Sequence, residues 1–171
     1  MIKLKVILRD ILKRCLNEKI KTTIKITPQH RYQILTKRAS RMYDFFSSRV
    51  IPANVWLGVT VESKINTERV DYLRMLNASV KFLSYEPLLE NLGQLNLSGI
   101  DWVIVGGESG NRARPMKPEW VDSIYLQCQK QNSLFFFKQW GTWGNDGVKR
   151  SKSENGKLFG GKIIQQIPAF A

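Results

Sequence analysis

From residue 31 onward the chain repeats one pattern: a short, nearly unbroken apolar run ends in polar residues, and a helical or loop segment follows. The runs are 31–37 (RYQILTK), 55–62 (VWLGVTVE), 80–87 (VKFLSYEP), 102–108 (WVIVGGE) and 133–140 (SLFFFKQW). Runs without polar alternation suit strands covered on both faces, as in a parallel sheet flanked by helices. Helices are predicted between them at 40–48, 65–77 and 118–131. Pro118 suits a first helical turn, and Leu126 and Cys128 fall on that helix's predicted buried stripe. The 88–101 link (LLENLGQLNLSGID) has room for a short helix and a turn at Gly99. The fold class read from this pattern is α/β, with about five parallel strands and flanking helices.

The two ends read differently. Leu4, Ile7, Leu8, Ile11, Leu12, Cys15 and Leu16 recur at three- and four-residue spacings among Lys and Arg, which predicts a basic amphipathic helix over 2–19. Docking on the chain's own sheet is its commonest fate; a membrane surface or a partner is the alternative. β-Branched residues alternate over 21–27, which predicts a short extended piece closed by Pro28. Beyond Gly141 the sequence is rich in Gly, Ser, Asn and Lys, and a hairpin is predicted near Gly160 and Gly161. The organisation predicted is a basic helix and extended segment at 1–26, an α/β core at 27–141 and a flexible Gly/Lys-rich extension at 142–171.

Composition narrows the function classes. A chain of 171 residues, 43% apolar, is the size of one domain or of a large piece of a barrel. No uncharged apolar run of about 18 residues exists and no secretory signal is visible, so a cytoplasmic protein without a membrane span is expected. Cys15 and Cys128 are the only cysteines, too far apart for a CxxC site, and are read as reduced core thiols. The net charge of +13 is uneven: 1–49 carry thirteen Lys/Arg against three acids, 50–148 nine against ten, and the remainder five against one. Basic ends of this kind meet nucleic acid or anionic lipid, or simply form solvated faces.

In parallel α/β folds ligands bind outside the carboxyl ends of the strands. Those ends supply Thr36, Lys37 and Arg38; Thr60 and Glu62; Ser84 and Glu86; Gly106, Gly107, Glu108 and Ser109; and Lys138, Gln139 and Trp140. Strand ends emerging into water also carry some Lys and Ser, but here a polar group follows a wholly apolar run in all five cases. The Gly106–Gly107 pair lets backbone turn abruptly and expose its N–H groups, although glycine pairs also end strands for steric reasons. Without GxGxxG or GK[ST] no nucleotide triphosphate site is expected. Glu62, Glu86 and Glu108 are candidates for a carboxylate pair or a Mg²⁺ site, and Glu86 precedes Pro87, which restricts its backbone. His30, the one histidine, precedes a strand and is read as a capping or surface residue.

The motifs QILTKR (33–38), NVWLGVTVE (54–62), FLSYEPLL (82–89), IDWVIVGGESG (100–110), RPM (114–116) and FFFKQWG (135–141) together resemble the phage and prophage protein family of gene products 37 and 68, over about 27–170. That family is similar to radical S-adenosylmethionine enzymes. The resemblance implies a partial TIM-like barrel and, for the intact family, an N-terminal cluster of three cysteines holding a [4Fe–4S] centre. Such a centre needs thiolate ligands, and two distant cysteines do not supply three. The chain therefore reads as a truncated or split relative, whose Glu62, Ser84, Glu86 and 106–109 are the residues that the resemblance places near a nucleoside cofactor or substrate. Neither S-adenosylmethionine nor a cluster is expected on this chain alone. Two alternatives accompany this reading. One is a nucleic-acid-binding module using the basic ends, with Trp140 and Trp143 stacking on bases; the other is an interaction module whose open sheet pairs with another chain to complete the barrel.

Overall fold

A computed structural model describes residues 3–7 and 18–169. Six strands form one all-parallel sheet, β1 (Lys3–Ile7), β2 (Arg31–Thr36), β3 (Val55–Thr60), β4 (Val80–Tyr85), β5 (Trp102–Gly106) and β6 (Leu134–Gln139), ordered in space as in sequence. β1 and β6 do not pair, so the sheet is an open arc with the strand order of a βα barrel. Helices α1 (Glu18–Ile26), α2 (Ala39–Phe46), α3 (Arg69–Arg74) and α4 (Pro118–Lys130) connect the strands, and a short α5 (Lys152–Asn155) follows β6.

The five apolar runs all become strands; the helices expected at 40–48 and 118–131 appear within two residues of those bounds, and the one expected at 65–77 shortens to α3, preceded by a 3-10 turn at Lys64–Asn66. The N-terminus differs. Residues 3–7 form β1, not part of a helix, because Lys-Leu-Lys-Val-Ile also satisfies a period of two and can add to the β2 edge. Residues 8–17 of the predicted helix, with Cys15, lie outside the described residues. The predicted extended piece at 21–27 is instead the end of α1: helical spacing sends Ile24 into the core while Ile26 stays exposed. The amide of Asn54 donates to the Ile24 and Thr27 carbonyls at 3.0 and 3.3 Å, satisfying the last turn.

The 88–101 link forms no helix. Leu88, Leu92, Leu97 and Ile100 are buried one at a time, and two glutamines of α4 hold the chain extended. Gln127 accepts from the Leu95 N–H and donates to the Gly93 carbonyl; Gln131 does the same for Leu97 and Leu95. The turn at Gly99, with φ +70°, is present. On α4 Cys128 is fully buried, but Leu126 points to solvent.

Strand alternation divides the core into two layers. Ile34, Leu57, Leu83, Val103, Phe135 and Phe137 face the helices. Their neighbours Leu35, Trp56, Phe82, Trp102 and Ile104, with the half-buried Phe136, form a second cluster on the inner face. There the Trp102 ring lies 6.0, 5.7 and 5.8 Å from those of Trp56, Phe82 and Phe136. Phe82 occupies the space that a Cβ on Gly58 of the neighbouring strand would fill, 2.4 Å from its ring atoms.

The segment expected to be a flexible extension is mostly exposed but is tied to the body at particular residues. Phe159 is buried among Phe135, Phe137 and Tyr125, and the predicted hairpin closes between Phe159 and Lys162 over Gly160 and Gly161, both at positive φ. The chain then runs antiparallel along the free side of β6, with Phe137 N–H donating to Ile164 O and Gln166 N–H to Phe135 O at 2.8 and 3.0 Å.

Gly58→Ala is expected to lower stability by about 2 kcal/mol, because the buried Phe82 ring has to move off its seat. Chemical denaturation measures the loss, and in a double-mutant cycle Phe82→Leu is expected to recover part of it.

Candidate functional site

The same alternation that buries Trp56, Phe82 and Trp102 carries Thr60 and Glu62, Ser84 and Glu86, and Gly106 onto the inner face at the carboxyl ends. Lys37 and Lys138 join them from β2 and β6. Pairing of Thr60 with Ser84 sets Glu62 beside Glu86, about 5 Å apart along the backbone.

Each glutamate is held by cations. Glu62, only 8% exposed, pairs with Lys37 through one carboxylate oxygen and accepts from Arg69 Nη1 at 2.8 Å and Asn66 Nδ2 at 3.4 Å through the other. The same Arg69 nitrogen donates to Thr60 O at 2.7 Å, and Nη2 donates to Asn66 Oδ1 at 2.7 Å. Burial lowers the Arg69 pKa from its ordinary value. The fork thus fixes Glu62 from beneath, whereas the Lys37 side chain is half exposed. Glu86 pairs with Lys138 Nζ at 2.5 Å, two strands away. It reaches across β5 directly over Gly106, where a Cβ would be in ordinary contact with the Glu86 side chain, 3.4 Å from its Cγ. The peptide bond from Glu86 to Pro87 is cis.

The other predicted residues separate from this row. Thr36 shares the helix-side parity of Ile34, and its hydroxyl accepts from the Arg38 N–H at 3.0 Å, closing the turn out of β2. Gly107 is not a ligand cradle: its N–H donates to Gln139 O at 3.0 Å, and a Cβ would lie 1.8 Å from the Trp140 carbonyl oxygen. Gln139 is buried and donates to Gly107 O at 3.2 Å, while its Oε1 has no hydrogen-bond partner. Trp140 is a core anchor against Phe137, its indole N–H donating to Leu158 O at 2.8 Å, so it is not a platform for bases. Ser109 is exposed.

Glu108 turns to its own loop. It accepts from Arg114 Nε, Nη2 and backbone N–H at 2.9, 2.8 and 2.8 Å. These hydrogen bonds pull its carboxyl down to about 2. With Glu108 engaged there, the proposed three-glutamate Mg²⁺ site does not form, and among the described residues no three His, Cys, Asp or Glu side chains come together to hold a metal. Sequence reasoning missed Arg69 and the partnership of Arg114. Neither has a local signature, since Arg69 meets Glu62 only when α3 packs beside β3.

A groove of about 520 Å³ opens at the other end of the strands, lined by Arg31, Asn54, Trp56 and Ser79 among others. It contains none of the paired charges. Among the described residues no helix is long and apolar enough to cross a membrane.

Fold and site define a class: an open, singly wound parallel α/β arc with two lysine–glutamate pairs on its inner face at the carboxyl ends. Within that class the chain belongs to the family described as "Protein of unknown function (DUF5131)", whose model matches residues 7–168. No curated protein and no solved structure matches it significantly.

Because Glu108 is held below its ordinary value of 4.5, its pairing stabilises the fold fully above about pH 4.5 and loses that effect as the pH falls toward about 2. Glu108→Gln is therefore expected to be less stable than wild type at pH 7 and to converge with it at low pH, as read from denaturation midpoints across the titration.

Proposed function

We propose that the chain is a ligand-binding partial barrel related to the radical S-adenosylmethionine enzymes and to the phage proteins of gene products 37 and 68, one that does not itself build an iron–sulfur cluster. The observation that carries this reading is the inner-face row Lys37, Glu62, Glu86, Lys138, placed where parallel α/β folds bind ligands and set above a dry aromatic floor. Lys138 and the two carboxylates keep hydrogen-bonding capacity beyond these contacts, so a ligand carrying both an anionic and a donor group is matched by the row.

The cluster is a different matter. Three thiolates are required; the chain has two cysteines, and Cys128 lies in the helix-side core, where desolvation pushes its thiol up to about 12. The residues present do not fit the group.

Anaerobic reconstitution with iron and sulfide is expected to leave the isolated chain without a stoichiometric cluster, read by absorbance and iron content; one cluster per chain would overturn the proposal. Calorimetric titration with a zwitterionic α-amino acid, which carries an anionic and a donor group together, is expected to detect binding that Glu86→Gln or Lys138→Met weakens roughly tenfold or more, the loss expected for a charged hydrogen bond. No binding, or binding unchanged in both variants, would remove the strand-end face from consideration.

A further inference from the structure

Beyond the inner-face row, the loops leaving β5 and β6 form one braced, positively charged platform. The segments 108–117 and 141–157 carry seven Lys/Arg against three acids. They are tied to each other at four points: Trp143 Nε1 donates to Ala113 O at 2.7 Å, Lys149 Nζ to Asn111 O at 3.0 Å, Gly110 N–H to Thr142 Oγ1 at 2.9 Å and Thr142 N–H to Glu108 O at 2.9 Å. Asn155 adds a brace within the second segment, donating to the Gly141 and Thr142 carbonyls.

The acids are consumed internally. Glu108 is bound by Arg114; Asp146 is bound by Arg150 at 2.9 and 2.6 Å, and its carboxyl is likewise held near 2; Glu154 closes the capping box with Ser151. Arg112, Lys117, Lys149, Lys152 and Lys157 have no acidic partner among the described residues, and all five are exposed. An ordinary solvated surface interleaves free charges of both signs. Here the negative charges are spent inward and the positive ones are left outward on a backbone that is not free to rearrange. Lys117 and Lys149 each lie 5.9 Å from the ring centroid of a half-buried tryptophan, Trp120 and Trp143.

We infer that this platform binds the phosphodiester backbone of a nucleic acid. Five exposed cations without an acidic partner, carried on cross-braced loops, suit a run of phosphates, which such contacts bind by releasing condensed counterions and without reading sequence. The assignment moves the nucleic-acid contact away from the basic N-terminus and from Trp140, to the β5 and β6 exit loops.

Fluorescence anisotropy with a labelled 20-nucleotide single-stranded DNA, at 50 and 200 mM salt, tests it. Wild type is expected to bind at 50 mM and to weaken steeply at 200 mM. Arg112→Glu combined with Lys157→Gln is expected to weaken binding at least tenfold at 50 mM with the thermal midpoint retained. Lys25→Glu with Arg41→Gln makes the same change of charge elsewhere and is expected to leave affinity within about twofold. Absence of binding at 50 mM, equal weakening in both double variants, or tight binding to phosphatidylglycerol vesicles in place of the oligonucleotide would overturn the inference.

Discussion

A parallel sheet has to be kept from water on both faces, and among the described residues helices cover only one. The inner face is sealed by its own side chains: Trp102 sits among Trp56, Phe82 and Phe136, and Phe82 presses into the gap left by Gly58 on the next strand. The interior of a closed barrel is filled by layers of side chains in the same way. This aromatic layer sets where charge can go. Past it, at the carboxyl ends, the inner-parity positions turn charged, and Glu62, Glu86, Lys37 and Lys138 emerge there.

Those charges are costly to desolvate, and each is compensated by geometry rather than by solvent alone. Glu62 has two cations and an amide, one of the cations being an arginine that also satisfies the Thr60 carbonyl. Glu86 has one lysine, reached over a glycine. The asymmetry matters for function. The Arg69 fork is anchored at several points and is a positioning group, whereas Lys138 reaches Glu86 on a flexible stem and can serve a ligand as well as a glutamate.

The strands were legible because burial on both faces writes an unmistakable signal, and Glu62, Glu86 and Lys138 followed from position at strand ends. What the residues did not disclose depends on contacts distant in sequence. Gln127 and Gln131 replace a helix in the 88–101 link by supplying its backbone partners, and no property of LLENLGQLNLSGID announces that. Gly106 and Gly107 look alike in sequence, yet a Cβ on the first would meet Glu86 at ordinary contact distance, whereas on the second it would collide with the Trp140 backbone. At the N-terminus two periodicities fit KLKVI, and only an available neighbouring edge decides between them. The Gly-rich stretch after 141 resembles a loose tail in composition, but Trp143, Asn155 and Phe159 fasten it.

The strip at 164–166 lying along β6 gives the sheet a direction of growth. The hydrogen-bonding groups of Phe135 and Phe137 on that side are already occupied by Ile164, Gln165 and Gln166. Any additional strand would have to peel this strip away before it could add there. Uncontrolled edge-to-edge stacking of copies through β6 is therefore blocked by the molecule's own backbone.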